Sequence, residues 1–70
     1  MQHRKSIGEN IRAARVGKGW TQEMLAVRAK MNSDYLSTLE RGLVNVSVDK
    51  LMTISKALRV PFSALVKGLD

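Results

Sequence analysis

The spacing of apolar residues between Gln22 and Arg41 restricts the fold of this chain more than any other feature. Leu25 and Ala29 stand four apart, so they share one face of a helix over residues 21–29. Leu36 and Leu39 stand three apart and share one face of a second helix over 33–41, which leaves 30–32 as a tight turn. Two stripes this short can close on each other only if the helices cross steeply. Ala26 is the small residue that lets the backbones approach at the crossing. The second helix is then left with a polar outer face of short side chains, a shape suited to the major groove of DNA.

The remaining elements follow from their punctuation. Ser6 with Glu9 three residues on is a capping-box pattern, opening a first helix that runs to about Val16 with Ile7, Ile11 and Ala14 as its buried stripe. Residues 1–5 are then expected to form a flexible basic arm. Gly17 and Gly19 end the first helix. Thr21 caps the second, where Glu23 suits the positive end of the dipole. Asn32 caps the third, which stops at Gly42, and Ser47 caps a fourth with Asp49 in its first turn and Leu51, Ile54 and Leu58 facing inward. Val60-Pro61 marks a break, and Pro61 fits the first turn of a short fifth helix ending near Gly68. Met24, Met31 and Met52 read as core filler, and Trp20 as a lid over the turn between the first two helices. No segment reads as a strand, a repeat or a linker. The expected fold is all-α: one five-helix domain over residues 1–70, with a helix-turn-helix formed by helices 2 and 3.

Composition narrows the possible functions. A chain of 70 residues has room for one small core, and a domain of that size buries roughly 60% of its unfolded surface, so it gains from a partner. There is no cysteine, hence no disulfide framework or thiolate metal site, and the single histidine, His3, cannot hold a metal alone. No apolar run approaches the roughly 20 residues of a membrane helix. The first residues lack the apolar stretch of a signal peptide, so a cytoplasmic location is expected. No histidine, cysteine or paired carboxylate is placed for catalysis; neither an enzyme nor a cofactor is expected. Twelve Lys and Arg against six acids give a net charge of +6 and a pI near 10.4. That excess suits a polyanionic partner, although solubility alone accounts for part of it.

The run T-Q-x-x-L-A from Thr21, then Y-L-S-x-L-E-R-G from Tyr35, then K-A-L-x-V-P from Lys56 resembles the Xre-type helix-turn-helix family. That family includes the lambda and Cro phage repressors and restriction–modification controller proteins. The resemblance runs from about Ile11 to Leu65. Lys30 departs from it, standing where the family usually places glycine, and a positive φ there carries a strain on the order of 1 kcal/mol. Leu43 and Val44 also depart, standing where many relatives carry Lys or Arg.

At 100° per residue, with Leu36 and Leu39 inward, Asp34, Ser37, Thr38 and Arg41 point outward and Ser33 and Tyr35 lie on the flanks. On spacing alone this is equally a plain solvated face. The resemblance implies a lambda-repressor-like domain in which Ser33, Asp34, Ser37 and Thr38 meet base edges. Asp34 can accept from cytosine N4 or support Arg41 or Arg28, and the Thr38 methyl suits a thymine methyl. Gln22 is implied to bond both a phosphate and the recognition helix, with Arg41, Asn45, Tyr35, Arg28, Lys18 and the Arg4–Lys5 arm as further backbone contacts. Members commonly pair the residues at Arg15 and Glu40. Phe62, Leu65, Val66 and Leu69 are candidates for a dimer interface, with intramolecular core as the alternative. The implied function is a sequence-specific regulator of transcription, binding double-stranded DNA as a homodimer on a near-palindromic operator. No membrane and no small-molecule effector are expected, and the source is expected to be bacterial or phage-encoded, acting at the nucleoid. An antitoxin or a restriction–modification controller with autoregulatory DNA binding is the alternative.

Overall fold

A computed structural model describes residues 3–68, which form five helices and no strand. These are α1 (His3–Gly17), α2 (Gln22–Ala29), α3 (Ser33–Glu40), α4 (Val48–Leu58) and α5 (Phe62–Leu65). Three of them start on a side-chain cap. Thr21 Oγ1 accepts from the Met24 N–H at 3.1 Å, Asn32 Oδ1 from those of Asp34 and Tyr35 at 2.7 and 3.3 Å, and Ser47 Oγ from that of Lys50 at 3.1 Å. The first helix differs from the sequence reading. It is already helical at His3, so Ser6 and Glu9 stand inside it, and a residue with helical backbone cannot be an N-cap. Residues 3–5 of the expected arm are thus part of α1, since no glycine or proline breaks the helix there. Residues 1–2 lie outside the described residues.

The first four helices share one way of stopping. A residue with positive φ follows each: Gly19 (φ 73°), Lys30 (φ 54°), Gly42 (φ 73°) and Arg59 (φ 58°). In each case its N–H and the next one turn back to the last carbonyls. At α3, Gly42 N–H reaches Leu39 O at 3.0 Å and Leu43 N–H reaches Thr38 O at 3.1 Å. A left-handed Lys30 follows the glycine that the resemblance puts at its place, whereas nothing in the neighbourhood of Arg59 suggested one.

Ile11, Leu25, Leu36, Leu39, Ile54, Leu58 and Leu65 are fully buried and join all five helices in one core. Ala26 and Ala29 are buried where α2 meets its neighbours. Leu65 is therefore interior and cannot supply an interface, because none of its surface remains on the outside. Asn10 Nδ2 ties this end of the chain to α1, donating to the carbonyls of Leu65 (3.0 Å) and Lys67 (2.9 Å). Met31 packs against the core as filler, but Met24 and Met52 are 37% and 44% exposed. Each stands beside a buried leucine in sequence, and one residue along a helix is about 100° around it.

The sequence reading passed over Gly8. A Cβ at this position would sit 2.7 Å from the carbonyl oxygen of Glu40, and closer still to that of Leu39. Glycine is what lets α1 lie against the C-terminal turn of α3. Alanine normally stabilises a helix interior over glycine by about 1 kcal/mol, but here it meets backbone, which cannot swing aside. Gly8→Ala is expected to lower stability by about 2 kcal/mol, read as a fall in the urea midpoint. A midpoint at or above that of the parent would refute the close contact.

Candidate nucleic-acid interface

The turn between α2 and α3 sets their crossing. Lys30 takes the left-handed conformation (φ 54°, ψ 49°), which aims its own N–H at Val27 O and that of Met31 at Ala26 O. Asn32 then restarts the chain as α3. Leu36, Leu39 and Glu40 face inward on this helix, Asp34 and Arg41 are exposed, and Ser33, Tyr35, Ser37 and Thr38 are half-buried. A cleft of about 490 Å³ runs between the start of α2 and the outer face of α3, lined by Thr21, Gln22, Glu23, Ser33, Asp34 and Ser37. Thr38, half-buried, follows Ser37 on this helix, and its hydroxyl donates to Tyr35 O at 2.7 Å.

Arg15, on α1, forms the floor of this cleft. Its Nε donates to Glu40 Oε2 at 2.7 Å and its Nη2 to Glu40 Oε1 at 3.0 Å, while Nη1 donates to the Trp20 carbonyl at 2.7 Å. Gln22 Nε2 donates to Glu40 Oε1 at 3.1 Å. One buried carboxylate thereby holds α1, the start of α2 and the end of α3 in fixed relation. The hydrogen bonds that Arg15 donates to Glu40 raise its pKa above the ordinary value, against the opposing effect of burial.

A model of the helix-turn-helix family matches residues 11–65, the stretch that carries α2, α3 and their supports. The chain belongs to the helix-turn-helix family. Among its relatives is the uncharacterized HTH-type transcriptional regulator y4dJ of Sinorhizobium fredii, 40% identical over the whole of this chain and 91% of its own length. Control protein C.BamHI of Bacillus amyloliquefaciens is 42% identical over 77% of this chain and 68% of its own. Among solved structures, the restriction–modification controller protein C.AhdI of Aeromonas hydrophila superposes with a TM-score of 0.85 at 31% identity, covering 89% of this chain and 94% of that one.

Around this helix-turn-helix the other candidate residues are dispersed. Arg41 caps α3, and Asn45 is exposed on the connection to α4. Leu43 on that connection is 57% exposed, while Val44 packs against the core. Tyr35 carries the Lys50 ammonium 5.3 Å from its ring centroid, a partner on α4 that no sequence spacing announced. Asp34 pairs with neither Arg28 nor Arg41: among the described residues Arg15–Glu40 is the one ion pair. Lys18 and Arg28 stand apart from the α2–α3 cleft, beside Trp20. Phe62 and Val66 are half-buried against the core, and Leu69 lies outside the described residues.

The Glu40 side chain is 2% exposed and that of Arg15 is 11% exposed, so removing one leaves the other's charge and donors uncompensated. Glu40→Ala is expected to cost about 3 kcal/mol in urea unfolding, and Arg15→Ala with Glu40→Ala together less than the sum of the two single losses. Additive losses would show that the pair is not coupled.

Proposed function

We propose that this helix-turn-helix protein is a sequence-specific regulator of transcription that binds double-stranded DNA as a homodimer on a near-palindromic operator. Its family makes it a DNA-binding transcriptional regulator and not an enzyme. The observation that carries the finer reading is the outer face of α3, where Ser33, Asp34, Ser37 and Thr38 lie together beside the exposed start of α2. These side chains are short enough for the helix to approach the base edges closely. Asp34, in no ion pair among the described residues, is suited to accept from cytosine N4, and the Thr38 methyl suits a thymine methyl.

Gln22 positions the complex. Its amide has two N–H groups, so one can stay on Glu40 while the other reaches a phosphate at the start of α2, where the dipole favours an anion. Arg41, Asn45 and Tyr35 supply further backbone contacts around the same face. One such helix reads few base pairs. A dimer placing two of them about 34 Å apart reads a repeat, and Phe62 and Val66 on the α5 side are the half-buried apolar residues available for that contact. Action is at the nucleoid of a bacterial cell. The match to C.AhdI over nearly that protein's whole length favours the restriction–modification controller kind within this reading.

Selection from a randomised duplex pool is expected to return an inverted repeat with half-site centres about 10 base pairs apart, bound by a dimer. Sequence-indifferent binding would overturn the reading. Arg41→Gln should weaken binding alike on all sequences and reduce the log–log salt slope by about 1 per half-site. Asp34→Asn should instead change which bases are selected. Val66→Asp is expected to convert the dimer to a folded monomer in sedimentation, and an intact dimer with unchanged operator affinity would rule out this interface.

A further inference from the structure

Beyond its DNA-reading face, the molecule carries a second charged concavity. A cleft of about 500 Å³ is lined by Lys18, Trp20, Arg28, Lys56, Ala57 and Arg59. All four of its charged residues are cations from three separate stretches of chain, and none of them is in an ion pair among the described residues. The cleft between α2 and α3, by contrast, is lined by Glu23 and Asp34, and its one cation, Arg15, is paired with Glu40. The two clefts lie on opposite flanks of α2, since Glu23 and Arg28 are about 140° apart around its axis.

The cations are ordered. The Arg28 guanidinium sits 4.3 Å from the centroid of the Trp20 ring and the Lys18 ammonium 5.7 Å from it, so the indole holds two long side chains that would otherwise sample many rotamers. Lys56 and Arg59 come from the end of α4. The last carbonyls there would repel an anion, but those of Ser55 and Lys56 accept from the N–H groups of Val60 and Arg59. Arg59 itself occupies a left-handed position that glycine would take with less strain, and its exposed side chain adds no packing. Convergent like charges repel, and without a counter-anion the fold gains nothing from gathering them.

We propose that this cleft is an anion site that takes a compact, multiply charged phosphate group of a free small molecule. The volume suits a ligand of that size, and guanidinium forks with ammonium groups are the donors that phosphate oxygens prefer. The convergence of the cations in a concavity on the far flank of α2 favours a free anion over the ridge of a duplex backbone. This departs from the sequence-based expectation of no small-molecule ligand.

Trp20 is the only tryptophan, so its emission reports on the site directly. The test titrates inorganic pyrophosphate into the full chain at constant ionic strength of about 150 mM, without DNA. A saturable change in Trp20 emission is expected, with Kd raised about tenfold or more in the double variant Lys56→Gln/Arg59→Asn. Both substitutions are at exposed positions, and asparagine tolerates the left-handed backbone. Operator affinity of that variant, measured without pyrophosphate, should stay within about twofold of the parent. No saturable response, or the same response in the variant, would overturn the proposal. Loss of operator affinity in the variant with no response to pyrophosphate would do so too, by giving these cations to the duplex. A failed operator selection, in turn, would leave the titration standing, so the two readings fail separately.

Discussion

Everything the outer face of α3 offers depends on the buried carboxylate of Glu40. It takes two hydrogen bonds from Arg15 and one from Gln22, and Arg15 donates a third N–H, from Nη1, to the Trp20 carbonyl. Three elements meet at that point: α1, the entry to α2 and the exit of α3. Apolar packing alone, between helices of eight residues each in α2 and α3, would hold their crossing less rigidly, since dispersion and burial are nearly non-directional. A bidentate guanidinium–carboxylate pair fixes both distance and orientation. Because the pair is desolvated, the cost of burying its charges offsets much of its attraction.

A second constraint works beside it through the backbone. Gly8 brings α1 against the last carbonyls of α3, and Gly42 turns the chain where a Cβ would sit 2.7 Å from the Cα of Lys5. Both contacts bear on the same end of α3 that Glu40 anchors. The recognition face is therefore rigid at its C-terminal end by ion pair and close packing, and at its N-terminal end by the Asn32 cap and the left-handed Lys30. Precise placement of short side chains matters more than reach for a surface of serine and threonine, whose hydroxyls extend little beyond the backbone.

Charge is unevenly divided over this small domain. The cleft that faces the proposed base contacts is lined by two carboxylates and by Arg15, which Glu40 neutralises, while four cations line the cleft that holds Trp20 on the other flank of α2. A net charge of +6 is thus a sum over surfaces with different chemistry. In the proposed complex an acid on this face would reject bases as well as accept from them, because a carboxylate without a donor opposite it is repelled by the duplex. The cations on the far flank are free of that role.

Much of the fold was legible in the residues. The capping residues Thr21, Asn32 and Ser47, the glycine stop at Gly42 and the stripes of α2, α3 and α4 are local signals, set by hydrogen bonds and by periodicity within a turn or two, and they stand as read. The left-handed Lys30 had a different source, the resemblance, which puts glycine at that place in the turn. The start of α1 was misread because a capping box is a pattern of side chains, and only the backbone before it decides whether it caps. Leu65, Met24 and Met52 show the same limit: an apolar residue near a helix end or beside a core leucine is buried or exposed according to what packs against it from far along the chain. The site divides likewise. The candidate reading face follows from the 100° rotation of α3, but the joining of Gln22 to Glu40, the seat of Lys50 on Tyr35, and the gathering of Lys18, Arg28, Lys56 and Arg59 around one indole are long-range meetings. They depend on how five helices share a single core, since no local pattern encodes which distant side chains that core brings together.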